Sequence, residues 1–246
     1  MRAVQIIKKV NNFASNKVLI LLILGSLNTA HAQNAVNGDL TLDFVSSYYW
    51  RGINLGSVSL QPELSVGWKG LSFSVWGSFG LAKSLNEVDL TLSYTTGGLK
   101  LSVIDYWDDS RGARYFSYRP KETGHTFEAS VGYDFGPVAV SWQTFFAGAD
   151  LQADDRRAFS SYFEVSVPFR FITLDWLAKA AVVPWASDYY ETECFACQMV
   201  SLKATKDIPC SEKFHLPIFA ELMVNPNKGN LYFMAGLTIK AFEYKH

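Results

Sequence analysis

Beyond residue 33 the chain has no apolar run approaching 18 residues, so that part holds no transmembrane helix. It has no basic patch or basic tail, which argues against nucleic acid as a partner. The patterns H-E-x-x-H, G-x-x-x-x-G-K-[ST] and G-x-S-x-G are all missing. The chemistry those spacings serve (zinc hydrolysis, phosphate cradling, a nucleophile elbow) has no motif here. Cysteine is scarce, with Cys194, Cys197 and Cys210 the three present. Cys194-Phe195-Ala196-Cys197 is a lone C-x-x-C without a second pair or a histidine at zinc spacing, which speaks against a structural metal. The expectation is no metal, no cofactor and no catalytic activity. After residue 33 no stretch holds a 3.6-residue apolar period for long, so helices are not expected to build the fold.

What is present starts at the N-terminus. Arg2, Lys8, Lys9 and Lys17 precede the apolar run Val18 to Leu24, and Asn28-Thr29-Ala30-His31-Ala32 follows. Basic region, short apolar core and A-x-A site read as a secretory signal peptide over 1–32, cut after Ala32. The run is too short to serve comfortably as a membrane anchor. Setting those four bases aside leaves 18 Lys/Arg against 23 Asp/Glu, a net charge of −5 over 33–246. Export implies an oxidising compartment.

Period-2 alternation then recurs in segments of strand length. The stretch EVDLTLSY, Glu87 to Tyr94, sets Glu87, Asp89, Thr91 and Ser93 on one face and Val88, Leu90, Leu92 and Tyr94 on the other. Twelve such segments are predicted: 39–50, 58–68, 71–81, 87–95, 99–106, 124–134, 137–147, 159–167, 171–182, 197–206, 212–224 and 230–242. Their connections alternate in length. Short turns are expected at Lys69-Gly70, Thr96-Gly97-Gly98, Phe135-Gly136, Pro168-Phe169-Arg170 and Asp207 to Ser211. Longer or more polar links, such as Trp107 to Thr123 and Gly148 to Ala158, fall between them. That asymmetry belongs to an outer-membrane barrel, with turns toward the periplasm and loops outward. A soluble sandwich has no reason to keep it. The predicted fold is therefore all-β: a closed antiparallel transmembrane barrel of about 12 strands spanning 33–246.

In such a barrel the apolar face meets lipid and the polar face a lumen. The inward set then holds the acids Asp43, Glu63, Glu87, Asp89, Glu128, Glu164, Asp175 and Glu221 and the bases Arg51, Lys100, Lys179, Lys203 and Lys240. Each base on the lipid side near mid-depth would cost about 2–4 kcal/mol, so these belong inside. Cross-strand pairs are predicted for Asp89 with Lys100, Asp43 with Lys240, and Lys203 between Asp175 and Glu221, with Arg51 bracing Glu63 or an external loop. Trp68, Tyr94, Tyr133, Phe171 and Phe242 are expected in a periplasmic girdle, and Tyr48, Trp50, Trp107 and Tyr115 in an external one. Cys210 lies 13 residues from Cys197, about 40 Å along a strand, too far to bridge within one chain.

Ser47-Tyr48-Tyr49-Trp50-Arg51-Gly52-Ile53, then Gln61-Pro62, then Glu87-Val88-Asp89-Leu90 with Tyr94, resemble the exported bacterial family labelled Gcw_chp. The resemblance is strongest over 44–106 and implies an outer-membrane barrel. It carries no catalytic residue and no ligand. Phe242-Glu243-Tyr244 is followed by Lys245-His246, whereas barrels usually present a final aromatic to the assembly machinery.

Three functional readings follow. The lumen charges can line a narrow path for small solutes, the acid excess favouring cations. They can instead pair and plug the interior, helped by inward bulk at Tyr49, Trp76, Tyr106, Phe145, Tyr162, Phe219, Met223 and Tyr232, leaving a sealed barrel that acts through its external loops. A lipid-modifying enzyme would rest on His125, on the lipid face, and needs a serine and an orienting partner beside it; Phe127, not Ser, is its neighbour on that face, and Ser161 stands on another strand. The expected partners are outer-membrane lipid, the barrel-assembly machinery and a small solute.

Overall fold

The computed structural model describes residues 36–81, 85–110, 112–119, 121–212 and 214–245. The predicted signal peptide and its cleavage site lie outside the described residues.

Strands follow the alternation in the sequence. They are β1 (Val36–Val45), β2 (Tyr48–Trp50), β3 (Ile53–Gly56), β4 (Ser59–Trp68), β5 (Leu71–Gly80), β6 (Glu87–Thr96), β7 (Leu99–Asp108), β8 (His125–Asp134), β9 (Ala139–Gly148), β10 (Ser161–Phe171), β11 (Leu174–Val183), β12 (Ala196–Pro209), β13 (His215–Asn225) and β14 (Asn230–Lys245). All but β2 and β3 join one closed antiparallel barrel of twelve strands, each beside its neighbour in sequence, with β1 meeting β14 at the seam. Closure leaves no free strand edge around the middle of the ring, with one-sided pairing confined to strand ends such as that of β10, which is what a sheet in hydrocarbon requires.

The short turns carry the geometry that their sequences suggest. Lys69-Gly70 and Gly97-Gly98 have positive φ at both positions, as the type I′ hairpin turn demands. The turn expected at Pro168-Phe169-Arg170 is corrected: β10 runs through these residues and reverses at Ile172-Thr173, again with both φ positive. Pairing with β9 ends at Ser166, so Pro168 sits where β10 has a partner on one side only. A missing N–H is tolerated there, which is why the proline does not end the strand.

Faces sort as the alternation demands. Leu64, Val66, Phe73, Leu92, Val103 and Leu222 are exposed on the outside, while Glu87, Asp89, Ser93 and Ser102 are buried inside. The opposed faces of EVDLTLSY are thus lipid and lumen. Trp68, Tyr94, Phe171 and Phe242 are exposed near the short-turn end, as a periplasmic girdle requires.

One predicted strand breaks. Segment 39–50 is not continuous: β1 stops at Val45, and Ser46 closes it by receiving the Ala235 N–H on its hydroxyl at 2.9 Å and donating its own N–H to the Ala235 carbonyl at 2.8 Å. The chain then leaves the wall as the two-stranded β2–β3 hairpin. Tyr48 and Trp50 accordingly leave the external girdle and lie within the barrel, where Tyr48 is 8% exposed.

A charge introduced at Leu92, mid-strand on the lipid side, is expected to destabilise the barrel. Leu92→Arg should lower the unfolding free energy in vesicles by about 2–4 kcal/mol. Thr91→Arg, one residue away and inward, should cost clearly less. Denaturant titration of both variants checks this.

Candidate functional site

The β2–β3 hairpin is the centre of the site because it fills the external half of the lumen. Its turn is Arg51-Gly52, with φ of 49° and 77°. A side chain at Gly52 would run into the Gln198 carbonyl and meet Asn225 Nδ2 at 3.2 Å, so the hairpin tip seats against β12 and β13 only because this residue is glycine. Asn225 then donates to the Gly52 carbonyl at 3.0 Å.

Polar pins hold the hairpin. The Arg51 guanidinium grips Glu128 of β8 through two nitrogens, at 2.6 and 2.9 Å, and donates to the Tyr190 hydroxyl at 2.8 Å. Tyr106 adds its hydroxyl to Glu128 at 3.2 Å. The guanidinium carbon lies 4.3 Å from the Trp50 ring centroid and 4.7 Å from that of Tyr162. Side-chain exposures of 11% and 1% make Arg51–Glu128 a desolvated pair, in the bidentate geometry that compensates desolvation best. Tyr48 donates to Glu87 at 2.9 Å. Burial pushes the phenol of Tyr190, on the 184–195 loop, well up from its usual value, with the Arg51 charge pulling the other way. The hydroxyl therefore accepts from Arg51 as a neutral group.

Apolar packing surrounds these pins. Phe145, Tyr162, Ala181, Val183, Tyr190, Met199 and Met223 form a buried cluster, and Tyr49, Trp50, Ile53, Tyr106 and Tyr232 pack on it. Tyr49 stacks on Tyr232 at 4.6 Å between centroids. Of the inward bulk predicted from sequence, Tyr49, Tyr106, Phe145, Tyr162, Met223 and Tyr232 meet in this plug, while Trp76 packs on Tyr48 and Phe219 lies outside it beneath the Lys203 ammonium.

The predicted lumen residues divide by position. Arg51 is corrected from the wall to the hairpin tip, and it braces Glu128 and an external loop rather than Glu63. Lys179 pairs with Glu164 at 3.2 Å. Lys203 stands opposite Glu221 in register, and its ammonium lies 3.9 Å from the Phe219 ring centroid. Asp175 faces Thr205 and reaches Arg170 at 3.8 Å, on the exposed periplasmic rim, so Lys203 does not sit between two acids. Lys100 is opposite Thr95 and exposed at the same rim, so the Asp89–Lys100 pair does not form; Asp89 faces Tyr106 and Trp76 instead. Asp43 is opposite Gln61 and Thr238, not Lys240. A bulge after Leu40 shifts this seam register, and no alternation count can locate such a shift.

Asp43, Glu63, Glu87 and Asp89 consequently share one wall, formed by β1, β4 and β6. Asp89 Oδ1 is buried without a hydrogen-bond partner among the described residues. Toward the periplasm, Glu63 and Lys240 flank Thr41 on either side and line a recess of about 340 Å³ with Asp39, Ser65 and Glu243. The lumen is therefore polar below and plugged above.

A second polar group lies on the outside. His125 is fully buried beneath the β7–β8 loop; its Nδ1 meets Asp105 at 2.7 Å and its Nε2 meets the Tyr115 carbonyl. Asp105 was missed from sequence, although Leu101, Val103, Asp105 and Trp107 share the outward parity. It is the orienting partner His125 needed, but the other nitrogen faces a carbonyl. Ser161 is engaged with Thr144 at 2.8 Å and the Phe159 carbonyl at 3.0 Å.

No family model and no curated protein matches this chain. The likeness to Gcw_chp therefore rests on the residues quoted for it. Among solved structures, an outer-membrane channel from Pseudomonas putida is similar at 11% identity and a TM-score of 0.41, covering 86% of this chain and 96% of the other. OmpF of Salmonella typhi, in complex with daunomycin, is similar at 10% identity and 0.35, covering 86% and 97%. A Rhodopseudomonas blastica porin follows at 6% and 0.34, covering 84% and 98%. The chain is an outer-membrane β-barrel: the closed sheet, its apolar outer face and its turn asymmetry carry that statement on their own.

Loosening the hairpin should be measurable. Keeping Arg51 buried without its carboxylate would cost about 3–5 kcal/mol, so the hairpin is expected to swing out and rehydrate the charge. Trypsin cleavage after Arg51 in the folded, detergent-bound Glu128→Gln barrel should rise about a hundredfold over wild type. Gly52→Ala should raise it too. An unchanged cleavage rate in both variants would contradict the pinning described.

Proposed function

We propose that this barrel is a gated outer-membrane channel for small solutes, held shut here by its own β2–β3 hairpin. The observation that carries the reading is how the hairpin is held. Charged and hydroxyl groups pin its tip, namely Arg51 to Glu128 and Tyr190, and Tyr48 to Glu87. Polar pins can exchange their partners for water when the segment moves, whereas a purely apolar plug gains nothing on leaving. Glu87 and Asp89 stand on the wall at the level of the plug, and toward the periplasm Glu63, Asp39 and Glu243 line the polar recess that would receive a solute. The acid bias favours cations and neutral molecules over anions. In this reading the chain is exported with 1–32 removed, inserted by the barrel-assembly machinery, and performs no catalytic step.

The sealed structural barrel is the second reading. It is favoured by the complete burial of Phe145, Tyr162 and Val183 around the hairpin, the packing of a permanent core.

Planar-bilayer recording separates the two. Refolded chain 33–246 should be silent or open briefly, and Glu128→Gln should open far more often. A variant with residues 47–57 replaced by a short Gly/Ser link should conduct steadily with a cation-favouring reversal potential, and Glu63→Lys in that background should move the potential toward anions. If the shortened barrel folds, by heat-modifiable migration, and stays silent, the channel reading fails and the sealed barrel stands.

A further inference from the structure

The loop joining β7 to β8 does not arch over the mouth. It folds down the outside of the barrel. Tyr118 stacks on His125 with centroids 4.4 Å apart, and Tyr115 packs edge-on against Trp107 at 5.3 Å. Both His125 and Trp107 have the outward parity, alternating with inward Thr126, Glu128 and Tyr106. The loop is thus fastened at the external end of the lipid-facing surface, at the depth of lipid headgroups.

What it presents there is basic and aromatic. Phe116 is 85% exposed. The Arg114 guanidinium is exposed and makes no hydrogen bond or ion pair among the described residues. Arg119 is 82% exposed, with Glu122 at 3.7 Å beside it. Arg114, Phe116, Tyr118 and Arg119 line one recess of about 470 Å³. Arg119 also borders a second, of about 510 Å³, shared by Lys121 and Arg157 with Glu122 and Asp155. Lys121 is paired with Asp155 at 2.5 Å, which leaves Arg114 and Arg119, among the described residues, as the loop's bases for a ligand. The β11–β12 loop across the rim is the opposite, carrying Asp188, Glu191 and Glu193 and no base. Positive charge is therefore gathered on one side, where the loop meets the membrane. Below it Phe127 and Phe146, 6.3 Å apart, continue the apolar surface toward acyl chains.

We propose that this loop is a docking site for a phosphorylated lipid headgroup of the outer leaflet, with Arg114 and Arg119 taking the phosphate and Phe116 and Tyr118 resting at the interface. Guanidinium forks match phosphate oxygens, and aromatic rings favour the headgroup boundary. The inference is independent of whether the barrel conducts.

The test uses the refolded chain in detergent micelles doped with diphosphorylated or fully dephosphorylated lipid A, with bound lipid counted by native mass spectrometry. Wild type should prefer the diphosphorylated form. Arg114→Ser with Arg119→Ser should weaken that binding about tenfold and leave binding of the dephosphorylated form unchanged. Arg114→Lys with Arg119→Lys should restore most of the loss, and added salt should weaken wild type more than the serine variant. All four substitutions are on exposed side chains, and heat-modifiable migration confirms folding. Equal binding by wild type and the serine variant would overturn the proposal. So would complete displacement of the lipid by an equal concentration of inorganic phosphate, which would make the site one for a soluble anion.

Discussion

A sheet in hydrocarbon must satisfy every backbone N–H and C=O from within, because no water is present to do so. That constraint forces β1 onto β14, and the rest of the molecule follows from the closed ring it creates. Once the ring closes, one face of every strand is committed to lipid and the other to a lumen. Twelve strands enclose more volume than wall side chains alone fill at the external end, where the β2–β3 hairpin supplies the missing bulk. Its tip brings in a guanidinium, and that charge is tolerable only because Glu128 waits opposite it, fully buried.

Electrostatics then divides the interior. Arg51, Lys179 and Lys203 are matched with Glu128, Glu164 and Glu221 around one part of the wall. Apart from Asp175 at the β11 rim, the remaining acids of the inward set collect on β1, β4 and β6, with Lys240 at their periplasmic edge. A net acid excess spread evenly would give weak selectivity at any one depth. Gathered on one wall, from the level of the plug at Glu87 and Asp89 to Glu63 nearer the periplasm, it gives that side of the lumen a directional field. The outer rim repeats the separation, basic on the β7–β8 loop and acidic on the β11–β12 loop.

Legibility in the sequence followed the range of each interaction. Alternation in EVDLTLSY, the two-residue turns at Lys69-Gly70 and Gly97-Gly98, and the girdle residues Trp68 and Tyr94 are local features, and they read correctly. Pro168 misled because its tolerance depends on where β9 ends, which lies more than twenty residues away in sequence. Tyr48 and Trp50 alternate as a strand should, so nothing local distinguishes a wall segment from a hairpin turned inward. The Asp43–Lys240 and Asp89–Lys100 pairs failed through register, one at the seam bulge and one by strand offset.

By itself the sequence determined the closed barrel, the assignment of each face to lipid or lumen, and the two ends of the molecule. Those properties come from period-2 hydrophobicity and turn chemistry, which act over a few residues. Only the tertiary structure decided that the external half of the lumen is filled, that Arg51 meets Glu128, and that Asp105 and His125 join beneath a loop bent onto the outer wall. Arg51 and Glu128 lie far apart in the chain, and their meeting depends on a closed ring of fixed size and register that no local segment encodes. Asp105 and His125 are on neighbouring strands, and what local alternation does not encode there is the fold of the loop that buries them.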